Sequence, residues 1–126
     1  MKKKLVAVLN GESQVEYERE KPLGDRQHEY LKVMDKQLAE GIPQGAGTLL
    51  APSMEQKIQF VANQLITAIK SENEQLAAAT LSWLATRIPD LQQVAADEKD
   101  GAITVRLIYD KPYVKAEPIH FMKLNS

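Results

Sequence analysis

The chain has no cysteine among its 126 residues. That excludes disulfides, a thiol nucleophile, cysteine-held iron–sulfur clusters and cysteine zinc sites. It agrees with a reducing compartment, and the expected location is cytoplasmic. Histidine is almost as scarce: His28 and His120 lie far apart in sequence with no metal-ligand spacing, so no metal and no cofactor are expected. Charge of one sign is also missing. The formal net charge is -1, so no whole-chain field draws in nucleic acid or an anionic membrane. Long apolar runs are absent too. After Lys2-Lys3-Lys4 the run Leu5 to Leu9 stops at Asn10-Gly11, short of the ~7–15 residues of a signal-peptide core, and nothing approaches the ~20 of a membrane span. The expectation is a chain neither exported nor inserted.

Familiar catalytic signatures are lacking as well. There is no Gly-x-Ser-x-Gly elbow. Gly45-Ala46-Gly47-Thr48 resembles part of a phosphate loop, but no lysine follows it, and a proline-flanked stretch separates it from the next helix. It reads as linker, and the start of that helix at Ser53 to Gln56 is the better anion site of the two. Glu16, Glu18 and Glu20 alternate with Arg19 and Lys21 as on a solvated strand edge.

What is present is an ordinary globular composition, 44% hydrophobic and 26% charged, in a chain long enough for one core. Residues 1–126 read as a single domain, with 111–126 its less ordered end if any part is. Asn10-Gly11 between Leu5–Leu9 and Glu12–Glu20 predicts a hairpin, because a type I′ turn needs positive φ at both central residues. Pairing across it sets Val8 against Ser13 and Val6 against Val15, so that Val6, Val8, Val15 and Tyr17 share one face. Helical spacing of Leu31, Met34 and Leu38 predicts a helix over 24–40, ended by Gly41. Residues 42–52 read as loop. Ser53 with Gln56 has capping-box spacing and opens a second helix, with Met54, Ile58, Val61, Leu65, Ala68 and Ile69 as its stripe. A third helix over 74–87 follows a short connection. Asp100-Gly101 predicts a second hairpin that sets Val94 against Leu107, Ala96 against Val105 and Glu98 against Ile103. Residues 117–124 read as a last strand or a tail. The fold class is α+β: two terminal β-hairpins forming an antiparallel sheet packed on about three central helices.

No motif identifies a family, and function is read from residues that fall off the expected core faces. Phe60 lies away from its helix stripe, and Trp83 sits at the rim of its own, near Arg87. The segment 111–122 adds Tyr113 and Phe121. Either these helices pack on two sides inside the domain, or these residues form an exposed apolar patch that meets a partner or a second copy. The leading expectation is a non-enzymatic interaction or adaptor domain, self-associating, acting through Phe60, Trp83, Arg87, Tyr113 and Phe121 toward a protein partner or a second copy of itself. The alternative is a small enzyme or ligand-binding domain, with Asp97, Asp110, Tyr109 or His120 in a pocket between sheet and helices. A nucleic-acid binder comes third, because Lys111 and Lys115 are partly offset by Asp110 and Glu117.

Overall fold

The turn dipeptides do what their chemistry dictates. Asn10 and Gly11 both have positive φ, 51° and 85°, and so do Asp100 and Gly101, at 53° and 79°. In the computed structural model, which describes residues 3–21 and 23–114, these turns join strand β1 (Lys4–Leu9) to β2 (Glu12–Glu18), and a later pair across Asp100-Gly101. Between the hairpins run helix α1 (Asp25–Glu40), the short strands β3 (Ile42–Gln44) and β4 (Gly47–Leu49), and helices α2 (Met54–Lys70) and α3 (Glu74–Arg87). The second hairpin is β5 (Gln93–Lys99) and β6 (Ala102–Ile108). The two hairpins meet through a parallel pairing of β1 with β5, giving one four-stranded sheet in the order β2-β1-β5-β6. Asn10 helps to lock that junction: its Oδ1 accepts from the Glu98 N–H at 2.8 Å, and its own N–H donates to the Ala96 carbonyl at 2.8 Å.

The second hairpin has the expected register, Val94 opposite Leu107, Ala96 opposite Val105 and Glu98 opposite Ile103. The first departs from expectation one step from its turn. Val8 pairs with Ser13 as predicted, but Ala7, not Val6, pairs with Val15. Gln14 is the extra residue of a β-bulge, and it switches the rest of β2 to the other face. Val15 and Tyr17 therefore join Leu5 and Ala7 in the core under the helices, while Val6 and Val8 face the opposite side with Ala95. Burial explains the switch. Without the bulge, Val15 and Tyr17 would point away from the helix layer and Glu16 and Glu18 into it.

Helix α2 opens with the full capping box: the Gln56 N–H donates to Ser53 Oγ at 3.1 Å, and the Ser53 N–H to Gln56 Oε1 at 2.8 Å. Those contacts take up the Ser53 and Gln56 N–H groups, two of the donors at this helix start. Helix α3 is the middle of the helix layer, packing on α2 and α1 as well as on β1 and β2. It accordingly buries residues around much of its circumference, Ala77, Thr80, Leu81, Trp83, Leu84 and Ala85. Its C-terminal end is closed by Arg19, which lies just past β2. The guanidinium donates to the carbonyls of Ala85 (3.2 Å), Ile88 (3.0 Å), Leu91 (2.9 Å) and Lys4 (3.3 Å). Groups that a helix end leaves unpaired are satisfied by one side chain from the sheet edge.

Residues 42–52, expected as loop, contain the two-stranded β3–β4 hairpin, with Ile42 opposite Leu49. Three-residue strands are too short to show a period, and Pro43 and Gly47 mask them further. Gly45, at φ 60°, makes its turn. The expected strand over 117–124 lies outside the described residues. Among the described residues, no helix is long and apolar enough to cross a membrane.

Candidate functional site

Of the sequence-predicted interaction residues, Trp83 and Arg87 come together on Asp35, while Phe60 and Tyr113 lie elsewhere. Trp83 is 1% exposed and is an interior residue, so of its two readings the packed one holds and the surface one does not. Its helix is covered on two sides, so the rim position faces α1 and not solvent. The indole N–H donates to Asp35 Oδ1 at 2.7 Å, and Arg87 adds two bonds to the same carboxylate, Nε to Oδ1 at 3.1 Å and Nη2 to Oδ2 at 2.6 Å. Those bonds from Arg87, together with the one from Trp83, hold the Asp35 carboxyl below the usual carboxylate range, against a partial opposing effect of burial. Trp83, Arg87 and Asp35 form a clamp between α1 and α3. Phe60 is half-buried and packs on the main core from α2. Tyr113 lies on the other side of the sheet, its hydroxyl donating to the Gly11 carbonyl at 3.1 Å. Phe121 lies outside the described residues, as does His120. His28 is exposed on α1.

Between sheet and helices a cavity of about 460 Å³ lies at the β2 edge, with Gln14, Val15, Ile69 and Ala77 in its lining, and none of Asp97, Asp110 or Tyr109 lines it. Another concave site lies on the helix-free face. Val6, Val8 and Ala95 are buried there, with Ile108 and Tyr113 packed beside them. After β6 the chain turns back across this face, and Gln93 Nε2 donates to the Lys111 carbonyl at 3.1 Å. Between Lys111–Val114 and the strands lies a cavity of about 460 Å³ with Val8, Ala95, Ile108, Asp97 and Arg106 in its lining. Gln93 also lines it and is only 7% exposed. Among the described residues nothing donates to its Oε1. Of the residues proposed for a pocket, Asp97 reaches this cavity, where it pairs with Arg106 at 2.9 Å. Tyr109 and Asp110 are exposed beside it. A second groove, of about 570 Å³, runs between α1 and α3 past Arg26, Tyr30, Leu76 and Ala79. Among the described residues, no three His, Cys, Asp or Glu side chains converge as metal ligands.

The sheet edges differ most in chemistry. β2 carries Glu12, Glu16 and Glu18 in seven residues, a guarded edge. Lys4 on β1 pairs with Glu16 at 3.2 Å. β6, Ala-Ile-Thr-Val-Arg-Leu-Ile, is the opposite edge and carries a single charge, Arg106. Among the described residues no strand pairs with its outer side. Ile103 on β6 is 41% exposed. Because Tyr113 and Gln93 draw residues 111–114 inward over the sheet, that segment leaves the outer edge open. The signal for this edge in the sequence is the contrast between three glutamates in one hairpin strand and one arginine in the other.

No protein-family model matches this sequence, no curated protein matches it, and no solved structure matches it.

Proposed function

We propose that this chain is a non-enzymatic protein-interaction domain that self-associates, and that β6 is its contact edge. One observation carries the reading: of the two edges of the sheet, β2 is guarded by three glutamates and β6 carries a single charge, Arg106. An unguarded edge of seven residues offers a ready row of backbone donors and acceptors to a further strand. The contact surface thereby moves from the helix residues Phe60 and Trp83, both engaged in packing, to the sheet. Sedimentation velocity on the purified chain over a wide concentration range tests the proposal. The wild type should associate with rising concentration, Thr104→Lys on β6 should remain monomeric, and Gln14→Lys on β2 should behave as the wild type. A wild type that stays monomeric throughout, or a Thr104→Lys variant that associates unchanged, refutes it.

A second reading rests on Gln93. A side chain so buried in a cavity wall, whose amide oxygen meets no donor among the described residues, suits a small ligand that brings an N–H or O–H group. Native mass spectrometry of the chain purified without denaturation tests it. A retained small molecule that is lost on Gln93→Leu supports a ligand site, and the bare chain mass in both counts against one.

A further inference from the structure

The edge strand has a property that bears on what pairs with it. A symmetric antiparallel pairing of two identical strands places one residue opposite itself, and every other residue opposite its mirror position. For β2, pairing along its whole length about Val15 would set Glu12 against Glu18 and Gln14 against Glu16 of a second copy. Two like-charge contacts then oppose assembly. For β6, pairing along its whole length about Val105 sets Ile103 against Leu107, Thr104 against Arg106 and Ala102 against Ile108. No like charges meet.

Neighbouring strands reinforce this choice. Ile103, Val105 and Leu107 lie on the side of the sheet that carries the helices, and Val105 and Leu107 pack on the core there. Pairing would continue that apolar row into the second copy and cover the exposed Ile103. On the other side, Thr104 is the cross-strand neighbour of Asp97 on β5. An Arg106 arriving opposite Thr104 lies one strand away from Asp97, which already holds Arg106 of its own chain. Each Asp97 would thus be flanked by two arginines, and each arginine by two carboxylates. Shifting the centre to Arg106 sets two guanidiniums face to face. Shifting it to Thr104 leaves Leu107 and Ile108 without partners and sets Ala102 against Arg106.

We infer that the occupant of the β6 edge is a second copy of this chain, paired antiparallel about Val105, so that the two sheets become one continuous eight-stranded sheet. The inference rests on the reading of β6 as the contact edge and adds the partner and the register. Because the chain has no cysteine, engineered thiols report on it without background. Residues facing each other across an antiparallel pair have Cα atoms about 4.5–5.5 Å apart, inside the range of about 4.4–6.8 Å that a disulfide spans. In this register residue 104 faces residue 106 of the second copy, and neither faces itself.

The experiment uses two full-length single variants, Thr104→Cys and Arg106→Cys, both at exposed positions, with folding checked by circular dichroism. Each is oxidised mildly alone and in an equal mixture, beside sedimentation of the wild type. The expected result is a covalent dimer in the mixture containing one chain of each kind, with neither variant cross-linking alone. A dimer from Thr104→Cys alone would overturn the Val105 register while leaving β6 as the contact edge. Association in sedimentation with no cross-link in any combination would overturn the second copy at β6 and move self-association elsewhere. A monomer throughout would overturn both the inference and the self-association it rests on.

Discussion

Replacing Asp35 with alanine should cost far more than its half-exposed position suggests. Its side chain is 43% exposed, and a surface substitution away from special features changes stability by no more than ~0.5 kcal/mol. Asp35, however, is the acceptor for a tryptophan that has no access to water. With the carboxylate gone, the Trp83 indole N–H is left buried and unpaired, a loss of about 1–3 kcal/mol. The ion pair with Arg87 is partly open to solvent and adds no more than about 1 kcal/mol. Asp35→Ala should therefore destabilise by about 1–4 kcal/mol. Asp35→Asn keeps an acceptor for the indole and loses only the charge, so it should cost about 1 kcal/mol. Urea unfolding followed by fluorescence reads this well, because Trp83 is the only tryptophan. The pH dependence has a definite sign. Hydrogen bonding to Arg87 depresses the Asp35 carboxyl in the folded state, so its contribution is present above the ordinary aspartate value of about 3.9 and is lost as pH falls through the depressed value. The stability gap between wild type and Asp35→Asn should then narrow as the solution is acidified below pH ~4. Equal costs for the alanine and asparagine variants, or a gap that widens in acid, would refute the clamp.

Further substitutions at Arg19, Gly41 and Phe60, with Val33 as a surface control, probe the same framework. Arg19→Ala removes donors to carbonyls of α3, β1 and the approach to β5 and should lower stability by about 2–4 kcal/mol in urea unfolding; Arg19→Lys should recover only part, since an ammonium lacks the planar fork. Gly41→Ala places a Cβ 2.8 Å from Thr48 Cγ2 and 3.1 Å from the Leu49 carbonyl at φ 146°, so the unfolding midpoint should fall by an amount equivalent to more than about 1 kcal/mol. Phe60→Lys drives a charge against the core and should destabilise by about 2–4 kcal/mol, whereas Val33→Glu on the exposed side of α1 should change stability by less than ~0.5 kcal/mol. Retained wild-type stability in Phe60→Lys would return that residue to the surface.

The legible and illegible parts of this fold divide along physical lines. The two dipeptide turns, the capping box at Ser53 and the apolar spacing of α1 could be read directly, because each is a local rule acting over a few residues. The bulge at Gln14 could not: it trades one ladder position for the burial of Val15 and Tyr17, and that trade depends on which side the helices cover. Whether Trp83 is core or interface is not legible in the sequence for a related reason. A helix wrapped on two sides has no single apolar stripe, so position on a wheel says little about exposure. Arg19 and Asp35 act through partners 66 and 52 residues away in sequence, beyond the reach of any local pattern. The β6 edge was legible in composition, yet its meaning appears only once the sheet order makes β2 and β6 the two ends.

Hydrogen–deuterium exchange of the wild-type chain at low and high protein concentration, read at the peptide spanning β6, tests the central claim most directly. If a second copy pairs along this edge, exchange over residues 102–108 slows as concentration rises, while β2 exchanges at the same rate throughout. Exchange in β6 that is independent of concentration, or slowing confined to β2 or to the groove between α1 and α3, contradicts it.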